Sequence, residues 1–196
     1  NPILQSFQVV VNKFNIEKEL IEAFLNSMEA DLYNNTCNTQ SYQEYIYGSA
    51  EVVGLMCLRV FCENNNQQYD FLKESARKLG SAFQKVNFLR DIKSDYIERG
   101  RIYFPNADFN KFTSELKQNI EGDIQKDFEE AYQGIIKLPK KARMGVYLAY
   151  IYYLALFKKI KGLSASKILI ERVRVPNNQK LFLMLQSYFK YKFNYL

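Results

Sequence analysis

The sequence contains no histidine and no tryptophan. Without imidazole, neither a histidine general base nor a histidine metal ligand is available, so any bound metal has to be held by other donors. Cysteine is scarce too. Cys37, Cys57 and Cys62 form an odd, unpatterned set, which argues against a disulfide framework and fits a reducing compartment. Cys57 and Cys62 fall in an apolar helical run and are expected to be buried thiols. The longest apolar run, residues 144–157, is shorter than the roughly 20 residues that cross a bilayer, and no signal peptide is evident. There is no arginine-rich arm, no zinc-finger spacing, no glycine-rich dinucleotide loop, no internal repeat and no low-complexity tract. A nucleic-acid-binding role is therefore not expected.

What is present is a chain of 196 residues, long enough for one domain with a sizeable core, and 47% hydrophobic. Tyr and Phe are abundant at 15 each, which suits either a pocket for a large apolar substrate or an ordinary helical core. The net charge of +6 favours anionic partners such as phosphorylated metabolites or an acidic membrane face.

The apolar spacing is helical throughout. Asn1 and Pro2 suit a helix start. Asn15 is expected to cap a second helix over 16–32, in which Leu20, Phe24, Met28 and Leu32 recur at four. Asp31 closes it, either solvated or facing a site. After a polar loop over 34–40, Ser41 and Glu44 read as a capping box for a helix running to about Cys62. Gly48, Ser49, Ala50 and Gly54 make its middle small, for close helix packing or for room along a substrate chain. A polar linker over 63–68 leads to a long helix from Asp70 to about Tyr96, and Gly100 ends it. Phe112, Leu116, Ile120, Ile124 and Phe128 mark one or two further helices. Residues 143–160, apolar nearly all round, are expected to form the central buried helix, and Gly162 breaks it. A last pair of segments follows from Ser164.

The long helix carries the most informative block, GSAFQKVNFLRDIKSDYIERGRIYFP, from Gly80 to Pro105. Gln84, Asn87, Asp91 and Asp95 recur at spacings of three, four and four and so share one face. Leu79, Phe83, Val86, Leu89 and Ile92 form an apolar stripe beside them. Two carboxylates four apart repel mildly. Solvent with Arg90, Lys93 and Arg99, or a divalent cation bridging to a phosphate, offsets that repulsion.

This block resembles the second aspartate-rich motif of the squalene/phytoene synthase family at Gly80, Ala82, Phe83, Gln84, Asn87, Arg90, Asp91, Asp95, Gly100, Arg101, Tyr103 and Pro105. A second family motif is similar at Tyr45, Tyr47, Ala50, Val53 and Gly54, with Ile46, Ser49 and Glu51 as departures. Glu51 puts a carboxylate where the family has glycine, altering pocket width or adding a charge at the rim. The resemblance implies an all-α fold, a helical isoprenoid (terpenoid) synthase-type bundle around a central cavity, in a single prenyltransferase domain over 1–196.

The resemblance also implies a site. Asn87, Asp91 and Asp95 would hold Mg²⁺ (or Mn²⁺) and, through it, an isoprenoid diphosphate. Gln84, Asn87, Arg101 and Tyr153 would bind substrate, and Tyr45, Asp91 and Asp95 would be catalytic. Read without the family, Tyr45 and Tyr153 are equally core tyrosines and Arg101 equally a surface ion pair. The implied activity is a head-to-head condensation of two geranylgeranyl diphosphates to phytoene, in carotenoid synthesis, without a nicotinamide cofactor. A squalene or dehydrosqualene synthase acting on farnesyl diphosphate, and a non-catalytic helical scaffold that kept the fold, are the alternatives. The expected location is cytoplasmic, with peripheral contact at the inner membrane for product release. The chain opens at Asn1, and the family's first aspartate-rich motif would lie upstream of it. The chain is thus expected to match the last two thirds of a member and, taken alone, to show little or no activity.

Overall fold

The computed structural model describes residues 1–33, 39–101, 103–105, 112–193 and 195. Among them there is no strand. The helices are α1 (Pro2–Phe14), α2 (Lys18–Tyr33), α3 (Thr39–Ile46), a π-helical segment (Tyr47–Glu51), α4 (Val52–Phe61), α5 (Asn66–Arg99), α6 (Ser114–Ile135), α7 (Lys140–Lys161), α8 (Ala165–Ile168) and α9 (Asn177–Lys192). The all-α expectation holds.

Local chemistry sets most boundaries. Asn1 caps α1 through its side chain, with Pro2 in the first turn. Asn15 corrects the sequence reading: it does not open α2 but ends α1 in the left-handed region at φ 50°, which asparagine tolerates better than most residues. Ser41 is likewise not a cap, because α3 starts two residues earlier, at Thr39. Helix α5 starts at Asn66, inside the expected linker, since the Asn65 side chain accepts the Gln68 N–H. It ends at Gly100, whose φ of 64° suits glycine; its N–H donates to the Tyr96 carbonyl and the next N–H, of Arg101, to the Asp95 carbonyl.

Helix α5 is the central element, packing against α4, the π-helical segment, α6 and α7. Val86 and Leu89 are fully buried, with Leu79, Phe83 and Ile92 packed beside them, as the apolar stripe requires. Helix α7 was expected to hold that place. Of its residues only Tyr147, Tyr150, Leu156, Phe157 and Ile160 are buried, because another of its faces looks into a cavity. In α2 the repeat fails at its end: Leu32 is exposed, while Ser27 is buried against Gly48 of the π-helical segment.

Two close approaches fix the walls. A Cβ on Gly54 would lie 2.7 Å from the Ala76 carbonyl oxygen, and one on Gly80 would lie 2.5 Å from that of Ala50. These glycines let α4 and the π-helical segment sit directly on α5. The α5–α6 contact is polar at its centre. Asp127, 1% exposed, accepts from Lys78 (3.0 Å), Lys85 (2.7 Å) and Ser81 (2.7 Å). Both thiols whose burial was expected are free: Cys62 is buried, but Cys57 is exposed on the cavity wall. Cys37 lies outside the described residues.

Candidate functional site

The 3-4-4 spacing on α5 brings Gln84, Asn87, Asp91 and Asp95 onto one half-buried face, as expected. Helix α7 runs parallel to α5 here, from the Leu72 end toward Asn87, so Tyr153 reaches that face. Its hydroxyl donates to the Asn87 side-chain oxygen at 3.3 Å, and its ring stacks on Phe83 with centroids 3.9 Å apart.

Asp91 is ion-paired twice. The neighbouring Arg90 donates to it at 3.1 Å, and Arg172, from the connector after α8, lies 2.8 Å from the same Oδ1. The bond to Asp91, followed by the charges of Asp91, Tyr153 and Asp95, raises the Arg90 pKa above its ordinary value. Part of the expected answer to the Asp91–Asp95 repulsion is therefore right. Arg90 contributes, whereas Lys93 turns away to the Ile170 carbonyl oxygen (2.8 Å), and the Arg99 side chain lies outside what is described. Arg172 was not singled out by the sequence reading. It sits in an irregular connector without periodicity, so the one available hint was the absence of any acid after Glu171.

The donor set suits a hard divalent cation. Two carboxylates and a carboxamide oxygen share one helix face; a cation on Asp91 would have to share or displace the bonds of its two arginine partners. No group of three or more Cys, Asp or Glu side chains converges among the described residues. A cation there would complete its shell with water and phosphate oxygens, the habit of Mg²⁺.

A second polar group forms around Asp31, at the end of α2. The Tyr45 hydroxyl donates to Asp31 at 2.9 Å, and Arg101 donates to Asp31 (3.3 Å) and to the Tyr103 hydroxyl (3.3 Å). Asp31, left open between solvent and site, thus faces this group. Burial foremost, then the Tyr103 and Asp31 charges, pushes the Tyr45 hydroxyl far above the usual tyrosine range. Tyr45 is therefore a neutral donor and not a base. Arg101 pairs with Asp31, while Asp91 pairs with Arg90 and Arg172. Phe88 on α5 lies between the two groups, stacked on Tyr103 at 4.2 Å and 5.9 Å from Tyr45, centroid to centroid.

Beside the α5 face opens a cavity of about 620 Å³, walled by the π-helical segment, α4, α5, α6 and α7. Of the residues expected at the site, only Gln84 lines it. Asn87 follows Gln84 by one helical turn, about 4.5 Å along the axis. The walls are apolar and small-residue-rich, with Ser49 near the Gln84 end; its hydroxyl is buried with no hydrogen-bond partner among the described residues. Glu51, expected to alter the pocket's width or charge its rim, does not line the cavity. It pairs with Arg77 at 2.8 Å on the far side of its helical turn.

The family model for squalene/phytoene synthase covers residues 1–179. The chain is 29% identical over 127 residues to a 4,4'-diapophytoene synthase of Staphylococcus haemolyticus, covering 64% of this chain and 43% of that one. It is 28% identical over 192 residues to a 15-cis-phytoene synthase of Synechocystis sp., covering 86% and 56%. The chain thus spans about half the length of the curated relatives it matches. A dehydrosqualene synthase solved in complex with ligand superposes with a TM-score of 0.79 at 21% identity, covering 98% of this chain and 71% of that one. That likeness shows the fold, an all-helical terpenoid-synthase-type bundle. A family match that runs from Asn1 nearly to the end of the chain settles the assignment: the chain belongs to the squalene/phytoene synthase family.

Proposed function

We propose that this chain serves a Mg²⁺-dependent prenyltransferase that joins two long prenyl diphosphates head to head, with geranylgeranyl diphosphate as substrate and phytoene as product. The observation that carries this reading is the Asn87–Asp91–Asp95 stripe, paired with arginines and set one turn beyond the mouth of a large apolar cavity.

In this reading Asn87, Asp91 and Asp95 hold the cation and Gln84 lies between diphosphate and tail. Mg²⁺ (or Mn²⁺), when bound, neutralises charge on the departing diphosphate. Arg90 and Arg172 are placed to share that charge. The C1–O bond of one substrate breaks, and the diphosphate leaves with the electron pair. The C2–C3 double bond of the second substrate attacks the allylic cation, and loss of one proton closes a cyclopropane. Loss of the second diphosphate, rearrangement and deprotonation then give the hydrocarbon, with no nicotinamide required. Apolar walls keep water from quenching the cation. Tyr45, held neutral by burial and by Asp31, contributes its ring face and a donated hydrogen bond. Arg101 orients that pair through Asp31 and Tyr103 and stands ready for the second diphosphate.

A C15 substrate, giving squalene or dehydrosqualene, is the second reading, favoured by the likeness to a dehydrosqualene synthase and a diapophytoene synthase. A water-insoluble product needs a lipid sink, so peripheral contact with a membrane belongs to the proposal. No described helix is long and apolar enough to cross one.

The test is calorimetric titration of the chain with a non-hydrolysable prenyl thiodiphosphate, with and without Mg²⁺. Binding is expected only with Mg²⁺, and Asp91→Ala should abolish it. An Asp91→Ala variant that binds like the wild type would overturn the site, and a wild type that never binds would favour a non-catalytic scaffold.

A further inference from the structure

We infer that the outer face of α9 docks the protein on an anionic lipid bilayer, with its aromatic stripe in the interface and its lysines on the headgroups. The inference rests on the membrane contact proposed above and gives it a place and a lipid charge.

Helix α9 is held to the molecule by one face. The Tyr152 hydroxyl of α7 donates to the Lys180 carbonyl oxygen at 2.8 Å, and the Tyr191 hydroxyl of α9 donates to the Lys140 carbonyl oxygen at 3.3 Å. Ser187, between these two contacts, is the buried residue of the helix. Away from it Phe182, Leu185, Phe189 and Phe193 recur at spacings of three, four and four and form one stripe. All four are exposed, Phe182 by 65%, Phe189 by 54% and Phe193 by 63%. Contiguous apolar surface of this kind marks an interaction site.

Charge decides what covers the stripe. Residues 140–196 carry twelve Lys and Arg against a single acid, Glu171, whereas residues 1–139 carry fifteen against twenty acids. The α7–α9 layer is therefore basic and the rest of the chain acidic, an asymmetry that suits an anionic surface. Lys180 and Lys192 stand near the two ends of α9. Lys159 donates to the Arg174 carbonyl oxygen at 3.2 Å, which brings the exposed Lys158 and Lys161 of the last turn of α7 toward the start of α9. Exposed rings at the headgroup boundary and ammonium groups on lipid phosphates are the pattern of an interfacial helix. A second copy of the chain would bring its own lysines against these, and like charges would oppose the pairing. At sixteen residues and with three lysines, α9 lies on a bilayer and does not cross it. The cavity points the same way. Gly145, exposed at the cavity's edge, and Tyr152, bonded to α9, lie seven residues apart on one face of α7. The open edge of the cavity and the seat of α9 thus share one flank of that helix.

The experiment is co-sedimentation of the 196-residue chain with vesicles of phosphatidylcholine alone and of phosphatidylcholine with about a third phosphatidylglycerol. Binding to the anionic vesicles should be roughly tenfold or more tighter than to the neutral ones, and should weaken as salt rises from about 0.1 M to about 0.5 M. Phe182→Ser combined with Phe189→Ser should weaken it roughly tenfold or more. Both rings are more than half exposed, so the melting temperature should hold. Lys180→Gln combined with Lys192→Gln should remove most of the preference for anionic vesicles. No binding to anionic vesicles, or equal binding by the phenylalanine variant, overturns the inference. So does a dimer in sedimentation velocity that the same phenylalanine substitutions dissolve, which would assign the stripe to a second copy of the chain. Binding of a prenyl thiodiphosphate in Mg²⁺ should be unchanged in every variant. Its absence from the wild type would sink the prenyl diphosphate reading and leave the docking face standing.

Discussion

Tyr45 shows what one residue's surroundings do to its chemistry. Its hydroxyl is enclosed, donates to Asp31 and lies beside Tyr103, so its ionised form is disfavoured in the folded protein. A folded-state pKa raised above the unfolded value of about 10 means that, beyond that pH, the unfolded chain releases a proton which the folded chain keeps. Stability is therefore unaffected below pH 10 and falls above it, by at most about 1.4 kcal/mol per pH unit for this group. Tyr45→Phe is expected to reduce the steepness of alkaline unfolding between pH 10 and 12, read from urea midpoints at each pH. An unchanged slope would show that the hydroxyl does not titrate differently in the fold. The sequence marked Tyr45 by family resemblance, but its partner Asp31 could be read either way, because one acid at a helix end has no periodicity to betray its direction.

Elements meet through a few specific contacts. Between α5 and α6 the contact is an ion network. Lys85 is almost fully buried, and its amine donates to Asp127 and Asp123; Lys78 and Ser81 also bind Asp127. Removing Asp127 strands Lys85 in the interior without its buried partner. Asp127→Ala should cost about 3–5 kcal/mol of unfolding free energy in a denaturant titration, far more than a surface ion pair. A loss below about 1 kcal/mol would mean that Asp123 and solvent satisfy Lys85 unaided. The α4 side depends instead on backbone proximity at Gly54 and Gly80, beside a π-helical segment in which the Val52 N–H reaches the Tyr47 carbonyl. The small residues there were plain in the sequence. The π-helical geometry was not, because a single helical turn of altered register leaves no periodic trace.

At the scale of the molecule, five helical segments line the 620 Å³ cavity, and the α5 stripe stands at one end of it. A ligand that fills such a space and is clamped by charge at its mouth binds the folded state alone. With Mg²⁺ and a prenyl thiodiphosphate at about a hundred times the dissociation constant, the gain is about 2.7 kcal/mol. For a chain of this size that should raise the melting temperature by about 5–10 °C in scanning calorimetry. The same ligand with EDTA, or Mg²⁺ alone, should give far less. A shift that is independent of Mg²⁺ would place the binding energy in the tail and not at the acidic stripe.

The sequence by itself determined the helices and the polar α5 stripe, and resemblance to a family marked the Gly80–Pro105 block. The helices and the stripe are written in spacings of three and four, and a helix imposes that periodicity without help from the rest of the chain. It misread Asn15, Ser41 and the exposure of Cys57, where cap and burial depend on what the neighbouring element does. Only the tertiary structure decided that Arg172 sits on Asp91, that Arg101 belongs with Asp31 and Tyr45, and that α7 turns one face to open space. Those contacts join residues far apart in the chain, and helix crossings place them where no local pattern of side chains can.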